Sequence, residues 1–282
     1  FDAGEYPPSA EDGKGGREAD TVNNTTTEFD KAKTHYFGRM KMRGSRDSRK
    51  GIDFFPTPEP LGLTMVRWAG MRTGEDALEP SAGDGAIARY FPANVKTTIV
   101  EPSADLASRA QLLAQTDRAE VMPFENLALV NKYDAIVMNP PFGSGGATAF
   151  AHLEKAMRHL REGGRIVALV PTGPAADKRW SKILDDLDHE KWSVAGDVAL
   201  PAVTFERAGT NVAARVLIID RLSNGQIGAP TAHINMTGAT TINEFFDRLE
   251  GIGGPARPEP AMAPMAAPAA VAPPLAAGGK FD

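Results

Sequence analysis

The sequence predicts an α/β protein built on a mostly parallel sheet with helices on both faces. Two observations carry this. Short runs rich in Val, Ile, Leu and Ala recur between residues 51 and 222, with stretches of helical spacing between them. A glycine-rich turn, with Gly83 and Gly85, follows the first run, as where a strand hands over to a helix in a doubly wound sheet. Layers ordered this way bury both faces of the sheet.

In chain order, seven strands are expected, at 77–78, 97–100, 120–122, 135–138, 165–170, 194–200 and 213–219. The run from Ala77 to Ile87 begins as a strand and ends as a helix start. Helices are expected at 104–115 and 147–161. In the second, Phe150, Leu153, Met157 and Leu160 would share one face, and Gly163 with Gly164 would stop it. Thr241-Ile-Asn-Glu244 has the form of a capping box opening a short helix at 244–249.

The ends differ in composition. Residues 1–30 carry too few apolar side chains to offset the entropy of ordering and read as disordered. Residues 31–50 form a basic arm: Lys31, Lys33, Arg39, Lys41, Arg43, Arg46, Arg49 and Lys50 face only Asp47. A compact domain at 51–222 is followed by an extension at 223–252. Pro and Ala dominate residues 253–282, predicting an extended linker or tail. With an opening Phe, that tail is expected of part of a longer multidomain protein.

The chain has no cysteine, which excludes disulfides, thiolate metal sites and cysteine nucleophiles. No apolar run reaches membrane-spanning length and no secretory pattern opens the chain, so a cytoplasmic location is expected. The net charge of -5 disfavours long-range attraction to polyanions, but the local basic arm can still neutralise phosphates. His152, His159 and His189 lie in charged helical surroundings and are expected at the surface. No ligand-like spacing links them, so no metal site is expected.

Chemistry concentrates at strand ends. Glu79 and Asp84 flank the glycine turn with Ser81, and Glu101 closes the second strand. In a doubly wound sheet Glu101 can accept from two ribose hydroxyls. Three carboxylates would repel a pyrophosphate but suit a sulfonium with a free amino group, which favours S-adenosylmethionine over NAD or ATP. Phe124 lies either against an adenine ring or in the core. The most specific feature is Asn139-Pro140-Pro141-Phe142 at the end of an apolar strand. The prolines hold the chain extended, so the Asn139 side chain and the Pro140 carbonyl form a fixed pair of acceptors. Such a pair can bind the hydrogens of a conjugated amino group and free its lone pair, while Phe142 offers a face for an extruded base.

These motifs resemble those of the class I amino-methyltransferases, in particular the N6-adenine DNA methyltransferases with gamma-type motif order. Asp53-Phe-Phe-Pro-Thr57-Pro58 resembles their N-terminal cofactor motif, Leu78 to Gly85 their motif I, and Ile99-Val-Glu101 their motif II. Asn139 to Phe142 resembles motif IV. Leu200-Pro-Ala-Val-Thr-Phe205 with Ala208-Gly-Thr-Asn211 resembles motif VIII. One departure is Pro123, where the family often carries an Asp for the cofactor adenine, so Glu125, Asn126 or the backbone would substitute. The resemblance implies a Rossmann-like class I methyltransferase fold. It also implies S-adenosylmethionine held by Thr57, Glu79, Ser81, Gly83, Asp84, Gly85, Glu101 and Phe124, and catalysis at Asn139, Pro140, Pro141 and Phe142. The substrate would be an adenine flipped from double-stranded DNA against Phe142 and Phe205, the backbone being held by Lys41, Arg43, Arg46, Lys178 and Arg179. Phe205 and Trp180 fit core packing equally well. Two other readings remain open: methylation of rRNA guanine N2 or protein glutamine, and a non-catalytic nucleic-acid-binding module on the same fold.

Overall fold

Alternating burial along the central strands sets the architecture. In β4 (Tyr133–Met138) and β5 (Leu160–Pro171), Ala135, Val137, Val167 and Leu169 join one buried cluster, while Ile136, Met138, Ile166 and Ala168 join another. A strand buried on both sides must be covered by helices on both sides. Helices α4 (Ala147–His159) and α5 (Pro174–Asp185) cover one face; α1 (Glu28–Met42), α2 (Glu59–Ala69) and α7 (Ile242–Glu250) cover the other. The computed structural model describes residues 26–42, 56–116, 118–206 and 212–259, without the side chains of 40–42.

The remaining strands are β1 (Asp76–Pro80), β2 (Lys96–Val100), β3 (Arg118–Glu120), β6 (Trp192–Ala199), β7 (Ala214–Arg221) and β8 (Ala232–Asn235). Helix α3 (Ala104–Ala114) links β2 to β3, and the short α6 (Val203–Glu206) precedes β7. The sheet runs β3-β2-β1-β4-β5-β7-β6-β8, with β7 antiparallel to both neighbours and the other pairs parallel. This is a Rossmann-like methyltransferase fold with a mixed sheet. Among the described residues the sheet has eight strands rather than the seven expected, because β8 pairs with β6 at its edge.

Several boundaries also move. The third strand ends at Glu120, because Val121 turns out to solvent instead of pairing. The second long helix stops at His159: Leu160 already pairs with Tyr133 as the first residue of β5, and Gly163 turns at φ +75. The helix start expected near Ile87 is a 3-10 turn at Ala88–Tyr90. Residues 28–30, expected to be disordered, open α1. Thr27 Oγ1 accepts from the Asp30 N–H and the Asp30 carboxylate from the Thr27 N–H, a reciprocal cap. Phe29 then buries its ring in the core. The capping box at Thr241 forms, with Thr241 Oγ1 accepting from the Glu244 N–H, but α7 begins at Ile242.

The limits of 51 and 222 do not bound the core. Phe29, Tyr36, Phe245 and Phe246 share one cluster with Leu61 and Trp68. Nor is the start of the Pro/Ala-rich segment a linker. Residues 252–259 lie across the amino ends of the parallel strands, where Arg257 donates to Glu75 and to the carbonyls of Asp134 and Gly163. Residues 1–25 and 260–282 lie outside the described residues.

Candidate active site

Parallel strands aim their carboxyl ends at one edge, and there the sequence motifs converge. Glu79 lies near the end of β1, Glu101 directly follows β2, Phe124 comes after β3 and Asn139 directly follows β4. They line one cavity of about 290 Å³, together with Thr57, Ser81, Asp84, Pro140 and Pro141.

The glycine turn works differently from expectation. Gly83 N–H donates to Glu101 Oε2 at 2.9 Å, and Ser103 N–H to the other carboxylate oxygen at 2.9 Å. Gly83 thus fixes a carboxylate. Gly85 has φ +80, and a Cβ there would meet Ala110 Cα at 2.8 Å, so the close approach it permits is to α3. Neither glycine is among the residues lining the cavity. Ser81 does line it and holds a left-handed φ of 60, a conformation costly outside glycine and concentrated at working sites.

The carboxylates are buried. Glu79 is 3% exposed and accepts from the Ala88 N–H at 2.7 Å. Burial pushes its carboxyl well above the ordinary range, and Asp84 and Glu101 add to the rise. Burial also raises Glu101, against the two N–H donors that favour its ionised form. Among the described residues no basic side chain pairs with either. Asp84 gives one oxygen to Arg39, while its Oδ1 is buried with no hydrogen-bond partner among them.

Elsewhere in the lining, Asn139 Nδ2 donates to Thr57 Oγ1 at 3.0 Å, joining the segment just before α2 to the end of β4. Phe142 is buried and meets Phe205 edge to face, with ring centroids 6.4 Å apart. Phe142 is not among the cavity's lining residues. Phe124 lines the cavity and packs edge-on to His152 at 5.3 Å.

His152 is the main site residue that sequence reasoning missed. Instead of lying at the surface it is 3% exposed and lines the cavity. Nε2 lies 2.8 Å from Glu125 Oε1 and Nδ1 lies 3.4 Å from Ser81 Oγ. The hydrogen bond from His152 holds the Glu125 carboxyl below its usual value. His159 is buried as well, and burial lowers its pKa; of these three histidines only His189 is exposed. The spacing held the signal: Ala149, His152, Ala156 and His159 recur at helical intervals on one face of α4 and are all buried.

Lys178 and Arg179 are exposed on α5, after the carboxyl end of β5, and Arg179 Nε donates to the Gly145 carbonyl at 3.2 Å. Trp180 is buried and stacks on Phe150, so its packing role holds. The Lys41 side chain, Arg43, Arg46, residues 53–55 and residues 208–211 lie outside the described residues. Among the described residues no acidic or histidine cluster could hold a metal, and no helix is long and apolar enough to cross a membrane.

This strand order, with a carboxylate-lined cavity at the carboxyl edge, defines the class: the fold is that of the class I S-adenosylmethionine-dependent methyltransferases, and it implies S-adenosylmethionine as cofactor. Residues 72–184 match the family described as Methyltransferase small domain. A Listeria monocytogenes structure assigned to the class I S-adenosylmethionine-dependent methyltransferases superposes with TM-score 0.57 at 14% identity, covering 79% of this chain and 77% of that one. The modification subunit of a type I restriction enzyme from Vibrio vulnificus superposes with TM-score 0.53 at 18% identity, covering 78% and 56%.

In sequence, the chain is 26% identical over 187 residues to "Defense against restriction protein B" of Escherichia phage P1; that is 60% of this chain but only 8% of the phage protein. It is also 28% identical over 110 residues to "Probable flavodoxin 2" of Bacillus subtilis, 38% of this chain and 73% of that one. The strand order β3-β2-β1-β4-β5 differs from the 2-1-3-4-5 order of flavodoxins. Buried carboxylates also oppose a flavin phosphate.

The cavity fits the implied cofactor. Its volume lies near the lower end of the roughly 300–1,000 Å³ of small-molecule sites. An orphaned carboxylate oxygen and two carboxylates without basic partners suit a cationic ligand, and Leu106, Pro102 and Phe124 give apolar walls.

Proposed function

We propose that the protein transfers the methyl group of S-adenosylmethionine to an exocyclic amino nitrogen, and that the acceptor is N6 of an adenine turned out of double-stranded DNA. The observation that carries this is the Asn139-Pro140-Pro141 run in the wall of the carboxylate-lined cavity, with the Asn139 amide oriented by Thr57 at 3.0 Å.

When bound, the cofactor supplies an electrophilic methyl whose bond to sulfur breaks as the new carbon–nitrogen bond forms. Glu79, Asp84 and Glu101, which line the cavity, would hold its charged and hydroxyl groups, and Phe124 would supply an apolar wall. An amino group on an aromatic ring is a poor nucleophile because its lone pair is delocalised. Asn139 binds one amino hydrogen through its side-chain oxygen, and the Pro140 carbonyl binds the other. Both bonds favour a pyramidal nitrogen, and the amino proton leaves to water once the nitrogen is methylated. Thr57 accepts from the amide NH2 and so orients the amide with its oxygen as the acceptor for the substrate. Catalysis of this kind rests on positioning and electrostatics.

The case for DNA rests on the Asn-Pro-Pro-Phe run, on the phage relative named for defence against restriction, and on the modification subunit that shares the fold. Phe142 and Phe205 are assigned to the flipped base, and Lys41, Arg43, Arg46, Lys178 and Arg179 to the phosphates. Tritiated cofactor offered with DNA, ribosomal RNA and protein tests the assignment. Label is expected on N6-methyladenine in DNA. Label on guanine N2 or on glutamine would move the acceptor, and no label on any of them would favour a binding module.

A further inference from the structure

The N-terminal helix brings a basic side chain to the candidate site. Phe29, Ala32 and Tyr36 anchor α1 in the core, and Tyr36 meets Phe246 of α7 edge-on at 5.0 Å. Docked this way, α1 presents Arg39 to two acids. Nη2 donates to Asp84 Oδ2 at 2.8 Å and Nη1 to Glu59 Oε1 at 3.0 Å. Glu59 is buried in the first turn of α2, just after the cavity-lining Thr57. One guanidinium therefore ties together α1, the start of α2 and the loop after β1. The other Asp84 oxygen, Oδ1, is the buried atom without a hydrogen-bond partner among the described residues, and Asp84 lines the cavity.

We infer that α1 is part of the cofactor site and that Arg39 is a positioning residue: by holding one oxygen of Asp84 it presents the other to a cationic group of the ligand. Cofactor binding and docking of α1 then stabilise one another, since coupling between two sites is reciprocal. This rests on the cavity being the S-adenosylmethionine site. Arg39 is suited to the task because its planar fork can reach two carboxylates at once. Its ion pairs are with Glu59 and Asp84, and among the described residues Glu79 and Glu101 have no basic partner.

Calorimetry on the full chain with S-adenosylmethionine tests it. Arg39→Gln is expected to weaken binding about tenfold, the order of one charge-assisted contact. The loss appears in the KM for cofactor rather than in kcat. Asp84→Asn weakens binding too, and the double variant binds no worse than Asp84→Asn alone, because the two residues act as a unit. Arg39→Lys, which keeps the charge but loses the fork, recovers only part of the affinity. Backbone amide exchange within residues 28–42 is expected to slow when cofactor is added to the wild type, a readout independent of how well any variant folds. Wild type that binds no S-adenosylmethionine would overturn the cofactor reading itself. Arg39→Gln binding like wild type, full additivity with Asp84→Asn, or exchange in α1 indifferent to cofactor would overturn this proposal alone.

Discussion

The two edges of the sheet bury charge in opposite ways. At the amino edge, Arg165 is 1% exposed and fully engaged. Its guanidinium donates to both carboxylate oxygens of Asp220, at 2.6 and 2.8 Å, and to the carbonyls of Trp68, Pro255 and Ala256. Arg257 repeats the pattern with Glu75 and backbone carbonyls, so the strap at 252–259 is held by arginines. At the carboxyl edge, Glu79 and Glu101 are also buried but are met by backbone N–H groups, and Glu79 is pushed toward its neutral form. A buried charge that is paired and hydrogen-bonded serves the fold. A buried charge left without a counter-charge costs stability and is kept where a ligand will compensate it.

If that contrast is right, variants at the two edges must fail differently. The largest effect on stability belongs to Arg165→Ala, which strands Asp220 and three carbonyls. Denaturant unfolding should show a loss of about 3–5 kcal/mol. Replacing the pair together, as Arg165→Met with Asp220→Leu, should lose much less.

Asn139→Ala comes next and reverses the pattern. Methyl transfer should fall by about a hundredfold to a thousandfold with stability and cofactor affinity nearly unchanged, as for removal of one preorganised polar contact at a reacting group. Single-turnover kinetics with calorimetry separate these.

Glu79→Gln sharpens the comparison further, because it should stabilise the ligand-free protein. The folded carboxyl titrates above its ordinary value of 4.5, so in that window the folded chain holds a proton that the unfolded chain has released. Stability is therefore expected to fall as pH rises from 4.5 through the folded value, and Glu101 acts in the same direction. Removing the acid should restore stability at alkaline pH while weakening cofactor binding. Thermal melts across pH check both the sign and the window.

The smallest effect is expected of His152→Gln. It keeps polar atoms near Ser81 and Glu125, and it should raise the KM for cofactor about threefold, within the range for one hydrogen bond. An unchanged KM would make His152 a packing residue.

How much of this could be read in the sequence follows from how local each signal is. Strands β1, β2, β4 and β5 announce themselves as apolar runs because they are buried on both faces. β8, Ala232-His-Ile-Asn, has no such run; it is a half-exposed edge strand whose identity depends on pairing with β6. The start of α1 was legible in Thr27-Glu-Phe-Asp30, but the polar composition around it outweighed the cap. Within the site, Glu79, Asp84, Glu101 and Asn139 were legible because each sits at a strand end or in the loop that follows it, and topology gathers strand ends. Arg39 and His152 were not, and neither was Arg257 at the opposite edge of the sheet. Their partners lie 45, 71 and 182 residues away in sequence, at Asp84, Ser81 and Glu75.

The central claim is that the carboxyl edge keeps unpaired acids to receive a cation. It is tested most directly by titrating S-adenosylmethionine into the protein calorimetrically, in buffers of different ionisation heat, at pH values from 4.5 upward. Net proton release on binding and an affinity that rises with pH are expected, both diminished in Glu79→Gln. Absence of binding, or binding whose affinity is flat or falls over that range, would contradict it.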